Sequence, residues 1–359
     1  MRTALIHYWL VADRGGEKVL GELGALYPEA RVFTHVYDPT ALPESITRLD
    51  VQQTFISRLP AARERYQSYL PLMPLALNRL DLSGFDLIIS SESGPAKGIR
   101  KPPGATHVCY CHTPMRYIWD MADEYYASAS LVQKVGMKLL LPALRRWDLW
   151  SATQVDHFIA NSRFVAERIE RIYGRQATVI HPPVDTEHFL GLTRDPGDYY
   201  LYFGQLTAYK RAELAVRAFN ELGTRLLIAG TGEERETLEE IAAPNVQFLG
   251  RVSDGERDAL YSGARALIFP GVEDFGIVPV EAQAAGCPVI ALGKGGALET
   301  VVDQSTGLFF HAASVEALVD AVRRFESAPM AADDCREQAR GFSAIRFRRS
   351  VAGFLDELT

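Results

Sequence analysis

At 359 residues, with 47% hydrophobic and 23% charged side chains, the chain has the balance of a soluble globular protein and the length of two ordinary domains. No apolar stretch reaches the roughly 18 residues a membrane span needs, and four cysteines do not make a disulfide framework in a chain this long. The net charge of −7 is divided unevenly: residues 1–180 carry 21 basic against 18 acidic side chains, the remainder 17 against 27. A basic half in an acidic protein fits an anionic surface or substrate, and ordinary scatter between two domains accounts for it equally well.

Thr3 to Leu10 reads as a strand, followed by the glycine turn Arg14-Gly15-Gly16-Glu17-Lys18 and a helix carried by Val19, Leu20, Leu23 and Leu26. A start directly in a strand, without the basic and apolar regions of a leader, leads to the expectation of a cytoplasmic protein. The turn lacks G-x-G-x-x-G, which counts against a dehydrogenase. Its two glycines instead let the backbone come close to a ligand. Asp86 to Ser90, Thr106 to His112 and Asp156 to Ser162 are further strands, and Ser162 and Gly174 suit the two caps of the helix between them. Cys109 and Cys111 alternate along their strand with no second Cys or His pair at ligand spacing, so they read as core thiols and no metal is expected. Strands alternating with helices imply a parallel sheet covered on both faces, with ligands outside the carboxyl ends of the strands. His112 stands at such an end, ahead of Thr113-Pro114-Met115-Arg116-Tyr117-Ile118-Trp119.

Ala177 to Ile180 is a strand, and His181-Pro182-Pro183 after it is an extended joint, because paired prolines cannot continue a sheet. This predicts domains over 1–182 and 183–341, with a terminal helix over 342–359. In the second domain Tyr199 to Phe203, Arg225 to Gly232, Val246 to Gly250, Ala266 to Phe269 and Pro288 to Leu292 are the strands. The loop Gly204 to Arg211 follows the first of them, and its Lys210 and Arg211 precede an amphipathic helix, where they would serve a diphosphate. Gly230-Thr231-Gly232 has Arg235 in place of a third glycine, and Gly271 to Gly276 has Ile277 and Val278 where a P-loop needs Lys and Ser or Thr. Neither motif survives.

The stretch Gly271 to Ala285 remains the most informative. It follows a buried strand and enters a helix with Pro279 in its first turn, so the amides of Gly276, Ile277 and Val278 would point at an anion such as a phosphate. Glu273 in the turn and Glu281 in the helix flank that position, and carboxylates are poor phosphate ligands but good acceptors for sugar hydroxyls. The combination points to a nucleotide sugar. Two basic segments, Arg58 to Arg79 and Lys134 to Trp150, mix cations with Leu, Tyr and Trp. Two readings stand for both: segments lying on an anionic bilayer, each basic residue near the surface contributing about 1 kcal/mol, or helices packed on the sheet with snorkelling tips.

Glu273 and Glu281, with seven residues between them, lying between a strand and Ala285-Gly286-Cys287-Pro288-Val289-Ile290, resemble the E-x7-E signature of the retaining family 4 glycosyltransferases. The Tyr8-Trp9-Leu10…Arg14-Gly15-Gly16-Glu17-Lys18 opening and the His112 to Trp119 string look like a bacterial polysaccharide mannosyltransferase subgroup. The resemblance implies an α/β protein of two facing Rossmann-like domains with parallel sheets, the GT-B fold, whose last helix crosses back to the first domain. It implies that His112, Glu273 and Lys210 are catalytic, that Gly16, Gln205, Arg211, Arg251, Val252, Phe275, Gly276, Ile277 and Glu281 bind the donor with them, and that Gly15, Arg116, Tyr117 and Trp119 face the acceptor. Gln205 departs from the pattern, which has Arg there, and Arg211 is the substitute cation. The Gly295-Gly296…Glu299 loop also matches. The implied reaction moves a hexose, with mannose from GDP-mannose favoured, to a saccharide acceptor, expected to be lipid-linked, at the inner membrane face, in surface polysaccharide or lipopolysaccharide synthesis. It needs no cofactor and no metal, Asp333-Asp334 reading as a polar turn, and it involves no nucleic acid. A nucleotide-sugar epimerase and a non-catalytic sugar-nucleotide-binding protein are the rival classes.

Overall fold

The computed structural model describes residues 1–120, 122, 131–328 and 330–358. The chain divides into two compact units, Met1–Pro182 with Phe347–Thr359, and Pro183–Arg346. The strands of the first are β1 (Thr3–His7), β2 (Arg31–Thr34), β3 (Asp50–Gln53), β4 (Leu87–Glu92), β5 (Thr106–Cys111), β6 (His157–Ala160) and β7 (Ala177–Val179). They lie in the order β3-β2-β1-β4-β5-β6-β7, every pair parallel. The second unit holds β8 (Tyr199–Phe203), β9 (Arg225–Ala229), β10 (Val246–Gly250), β11 (Leu267–Phe269), β12 (Val289–Leu292) and β13 (Gly307–Phe310). Their order is β10-β9-β8-β11-β12-β13, again parallel throughout. Both units are therefore Rossmann-like α/β domains. In each sheet the strand order reverses once, between β1 and β4 and between β8 and β11, which opens a crevice at the carboxyl ends there.

The local reasons are those of buried parallel sheets. Strands β4 and β12 are buried along their whole length, and their apolar runs, Leu87 to Ile89 and Val289 to Leu292, show no alternation. Helix Arg163–Tyr173 buries Val165 and Ile169, four residues apart; the Ser162 hydroxyl caps it by accepting from the Val165 amide at 3.1 Å, and Gly174 at φ +63 ends it. The last helix, Ala344–Asp356, sends Phe347, Val351 and Leu355, one face of the helix, into the first unit's core beside Leu5, Val108 and Tyr110. Arg348 of that helix pairs with Glu22.

Three details differ from the sequence reading. Gly15 and Gly16 lie in the first turn of helix Gly15–Leu26 rather than in a loop before it, because the Glu17 carboxylate accepts from the Arg14 amide and starts the helix early. The basic segment after Arg58 is a series of short turns, Ala62–Arg65, Tyr66–Leu72 and Met73–Leu77, interrupted by Pro60, Pro71 and Pro74, whereas Lys134 to Trp150 lies within the continuous helix Leu131–Ala152. Asp333 and Asp334 open helix Ala332–Arg340, where the dipole favours them, instead of forming a turn.

Candidate functional site

In the second unit the strand ends of β8 and β11 carry the residues that the sequence singles out. After β11 the chain reaches Gly276 at φ +94, a conformation L side chains rarely adopt, and turns there into helix Ile277–Ala284. From Pro279 onward that helix is buried, whereas Ile277 and Val278 in its first turn, whose amides have no partner within the helix, are half-buried. Lys210 comes from the turn after β8 and places its Nζ 2.9 Å from Glu273 Oε1, the two side chains being 16% and 20% exposed. Such a half-desolvated pair holds both groups in one geometry. Arg211, next in the chain, sits at φ +55, its amide donating to the Ala208 carbonyl at 3.1 Å while its side chain makes no hydrogen bond or ion pair among the described residues. A left-handed non-glycine residue costs roughly 1–2 kcal/mol, and strain of that kind clusters at ligand sites. Gln205 is exposed, its carbonyl accepting from the Tyr202 hydroxyl at 3.2 Å.

Glu281 lies one helical turn further on and is 6% exposed; Tyr261 donates to its Oε2 at 3.1 Å. Tyr261 belongs to helix Asp254–Gly263, which also lines a cavity of about 330 Å³ with Arg251, Val252, Tyr199 and Leu249. Phe275 turns its ring into the core, 3% exposed and edge-to-face with Phe342 at 5.5 Å, so its side chain faces no ligand.

In the first unit His112 follows β5 and is joined to two residues that the sequence reading did not select. Ser91, near the end of β4, has its Oγ 2.9 Å from His112 Nε2 and 3.2 Å from His7 Nδ1. His7 Nε2 in turn lies 3.6 Å from Glu17 Oε1. A Cβ on Gly16 would stand 2.7 Å from the Tyr8 hydroxyl, so the glycine admits that side chain, and it would meet His112 Nε2 at an ordinary contact distance of 3.6 Å. Burial, reinforced by nearby His7, pushes the His112 pKa down to about 3, so the ring is neutral at physiological pH and acts as a hydrogen-bonding group.

The loop after His112 is held from beneath. Arg168 donates to Thr113 Oγ1 at 2.7 Å and pairs with Asp120 at 2.6 Å. The Trp119 indole N–H donates to Asp148 Oδ2 at 2.7 Å, with the Arg145 guanidinium 5.3 Å from the ring centre; Tyr117 donates to Met115 Sδ, and Gly15 and Arg116 are half-buried. Asp148 also accepts from Tyr173 and from Lys97, and Lys97 bridges to Glu92; all three ionic groups are fully buried. Burial alone would lower the Lys97 pKa, but Asp148 and Glu92 outweigh it and hold the ammonium charged. Sequence offered one signal for this buried polar chemistry: Ser90-Ser91-Glu92 interrupts an otherwise apolar strand at its carboxyl end.

Comparison with known proteins agrees in both units. Residues 14–188 match a family model described as Glycosyltransferase Family 4, and residues 184–342 one described as Glycosyl transferases group 1. A GDP-mannose-dependent alpha-(1-6)-phosphatidylinositol monomannoside mannosyltransferase of Mycolicibacterium smegmatis is 31% identical over 194 residues, 45% of this chain and 50% of that protein. The chain spans about half the length of the curated relatives it matches. Among solved structures, the lipopolysaccharide outer core galactosyltransferase WaaB aligns with a TM-score of 0.73 at 15% identity over 100% of both chains. Anabaena HepE in complex with UDP-glucose aligns with 0.71 at 17%, over 99% of this chain and 100% of its own. At these identities the structural likeness speaks for the fold.

Proposed function

Because the chain belongs to the glycosyltransferases described by these two family models, which together span residues 14–342, we propose that it transfers a hexose with retention of configuration from a nucleotide diphosphate sugar to a saccharide acceptor. The observation that carries this is the Lys210–Glu273 pair at 2.9 Å, with Glu273 three residues before the left-handed Gly276 that starts the helix. A diphosphate leaving group gains negative charge as the glycosidic bond breaks, and groups aimed at that charge lower the barrier most. Lys210, Arg211 and the amides of Gly276 and Ile277 are those groups. Arg211, unpaired and strained, answers for the Arg that Gln205 replaces. Glu273, oriented by Lys210, accepts from hydroxyls of the donor sugar. Glu281, oriented by Tyr261, accepts from the ribose, and the cavity beside Arg251 and Val252 receives the base. The leaving phosphate oxygen takes the acceptor's proton, so the reaction requires neither a side-chain nucleophile nor a metal. In the first unit Gly16 and His112 serve a sugar hydroxyl, and the Arg116 to Trp119 loop serves the acceptor.

Mannose from GDP-mannose is the favoured donor, on the first unit's motifs and the mycobacterial relative's name. The acceptor is a lipid-linked saccharide at an anionic membrane. Exposed Leu72 and Leu75 among Arg58, Arg63, Arg65 and Arg79, and exposed Leu140, Leu149 and Trp150 beside Lys138 and Arg146, support surface docking. Among the described residues no helix is long and apolar enough to cross a membrane.

Thermal shifts with GDP-mannose, UDP-glucose, UDP-galactose and ADP-glucose, repeated on Lys210→Ala and Glu281→Ala, test the donor site. A shift with GDP-mannose alone, lost in both variants, is expected; a shift with UDP-glucose instead overturns the mannosyl reading, and turnover without any acceptor overturns transfer in favour of epimerisation. Flotation with anionic vesicles at low salt tests the membrane reading, which fails if the protein stays unbound.

A further inference from the structure

Ser91 occupies a position in which one hydroxyl must serve two imidazoles. Its Oγ is 3.2 Å from His7 Nδ1 and 2.9 Å from His112 Nε2, and Ser91 and His7 are buried. A serine has one proton to donate and lone pairs to accept with, whereas a neutral imidazole carries a proton on only one of its two nitrogens. With both rings neutral, two arrangements satisfy both contacts. In the first, Ser91 donates to His7 Nδ1 and accepts from His112 Nε2–H; His7 then carries its proton on Nε2, and His112 Nδ1 is a bare lone pair. In the second every proton is reversed, and His112 Nδ1 is a donor.

Glu17 decides between them. Its Oε1 lies 3.6 Å from His7 Nε2, both groups are buried, and its Oε2 is already occupied by the Arg14 amide. In the first arrangement an N–H faces the carboxylate; in the second, a ring lone pair faces a carboxylate oxygen across a buried gap, where repulsion is weakly screened. His112 Nδ1 has no partner among the described residues and is not sealed from solvent. The three links run across the switch point of the first sheet, from the helix after β1 through β1 and β4 to the end of β5.

We propose that Glu17, His7 and Ser91 are positioning residues that fix the tautomer of His112, leaving its Nδ1 unprotonated to accept a hydroxyl hydrogen of the bound sugar. This rests on the glycosyltransferase reading above only for what Nδ1 receives; the tautomer itself is a property of the protein alone. The consequence for specificity is that the site favours a sugar presenting a donor hydroxyl at that point over one presenting an ether or a deoxy carbon there.

The test is long-range proton–nitrogen correlation NMR on the full chain labelled with 15N-histidine, without any sugar present, with His112 assigned through His112→Asn. Neutral His112 protonated on Nε2 and bare on Nδ1 is expected, and Ser91→Ala should turn it into a mixture of tautomers. Glu17→Gln, which keeps an oxygen for the Arg14 amide, should shift His7 and His112 together, and Ser91→Thr should restore the wild-type pattern. Finding His112 protonated on Nδ1, or unchanged in both Ser91→Ala and Glu17→Gln, overturns the proposal. In turnover assays Ser91→Ala should lower kcat about tenfold with KM for the donor nearly unchanged, the effect of one misdirected hydrogen bond. An equal loss in Ser91→Thr would assign the effect to packing and overturn the relay. If no sugar is transferred by the wild-type protein, the functional reading falls, while the tautomer measurement still decides the relay.

Discussion

Replacing Lys97 with Met keeps the length of a fully buried side chain and removes the cation that bridges two buried carboxylates, Glu92 and Asp148. Breaking such a pair by deleting one partner costs about 3–5 kcal/mol, because a charge is left uncompensated. A second route gives the same size. The cheapest relief is for Glu92 to take up a proton, and holding a carboxyl of ordinary pKa about 4.3 protonated at pH 7 costs about 4 kcal/mol. The amides of Ala96 and Lys97 still favour the charged form of Glu92, and Trp119 and Tyr173 still donate to Asp148, so neither carboxylate is relieved by rearrangement alone. The readout is clean, since Trp9, Trp119, Trp147 and Trp150 all lie in the first unit, so intrinsic emission follows that unit alone. With a urea slope of about 2 kcal/mol per M, the Lys97→Met midpoint should fall by about 2 M. Adding Glu92→Gln should recover part of the loss. A fall below about 0.5 M would refute the reasoning, by showing that the site relaxes or hydrates without the lysine.

The same emission should report a pH dependence from His35 and His107, whose pKa values burial lowers to about 4 each. Their folded values lie below the unfolded one, so between about pH 6.5 and 4 the unfolded chain binds more protons and stability falls with pH, by about 1.4 kcal/mol per unit for each ring; equal urea midpoints at pH 7 and 5 would contradict this. Tyr261→Phe removes the donor to Glu281 at 3.1 Å while keeping the ring, and should weaken nucleotide diphosphate binding about three- to tenfold in calorimetry; unchanged affinity would mean that Glu281 is held by its helix alone. Gly16→Ala suits a helix by propensity, yet its methyl would meet the Tyr8 hydroxyl at 2.7 Å. The melting temperature should move by only a few degrees while turnover is lost, and an active variant would show that Tyr8 and His112 have room to shift.

Much of the fold was legible because buried parallel strands must be apolar on both faces. Leu87 to Ile89, Val108 to Tyr110 and Val289 to Leu292 announce themselves in that way, and Ser162 and Gly174 mark a helix by cap chemistry that acts within a few residues. Strands β2, β3 and β13 did not show. Strand β3 is an edge strand of sequence Asp-Val-Gln-Gln, largely exposed, and nothing in its pattern separates it from a loop. Lys210, Glu273, Gly276 and Glu281 were readable as a constellation because a single strand–turn–helix unit supplies three of them.

The network around His112 was not, since Ser91 stands 84 residues from His7 and 21 from His112. A histidine, a serine and a glutamate at such separations carry no pattern of their own. The sequence by itself determined that there are two α/β units of parallel strands, because that follows from periodicity and caps acting over one turn or one strand. Only the tertiary structure decided which polar groups share a buried space, because strand order placed β1 beside β4 and β4 beside β5, and a hydrogen bond is set by that adjacency rather than by distance along the chain.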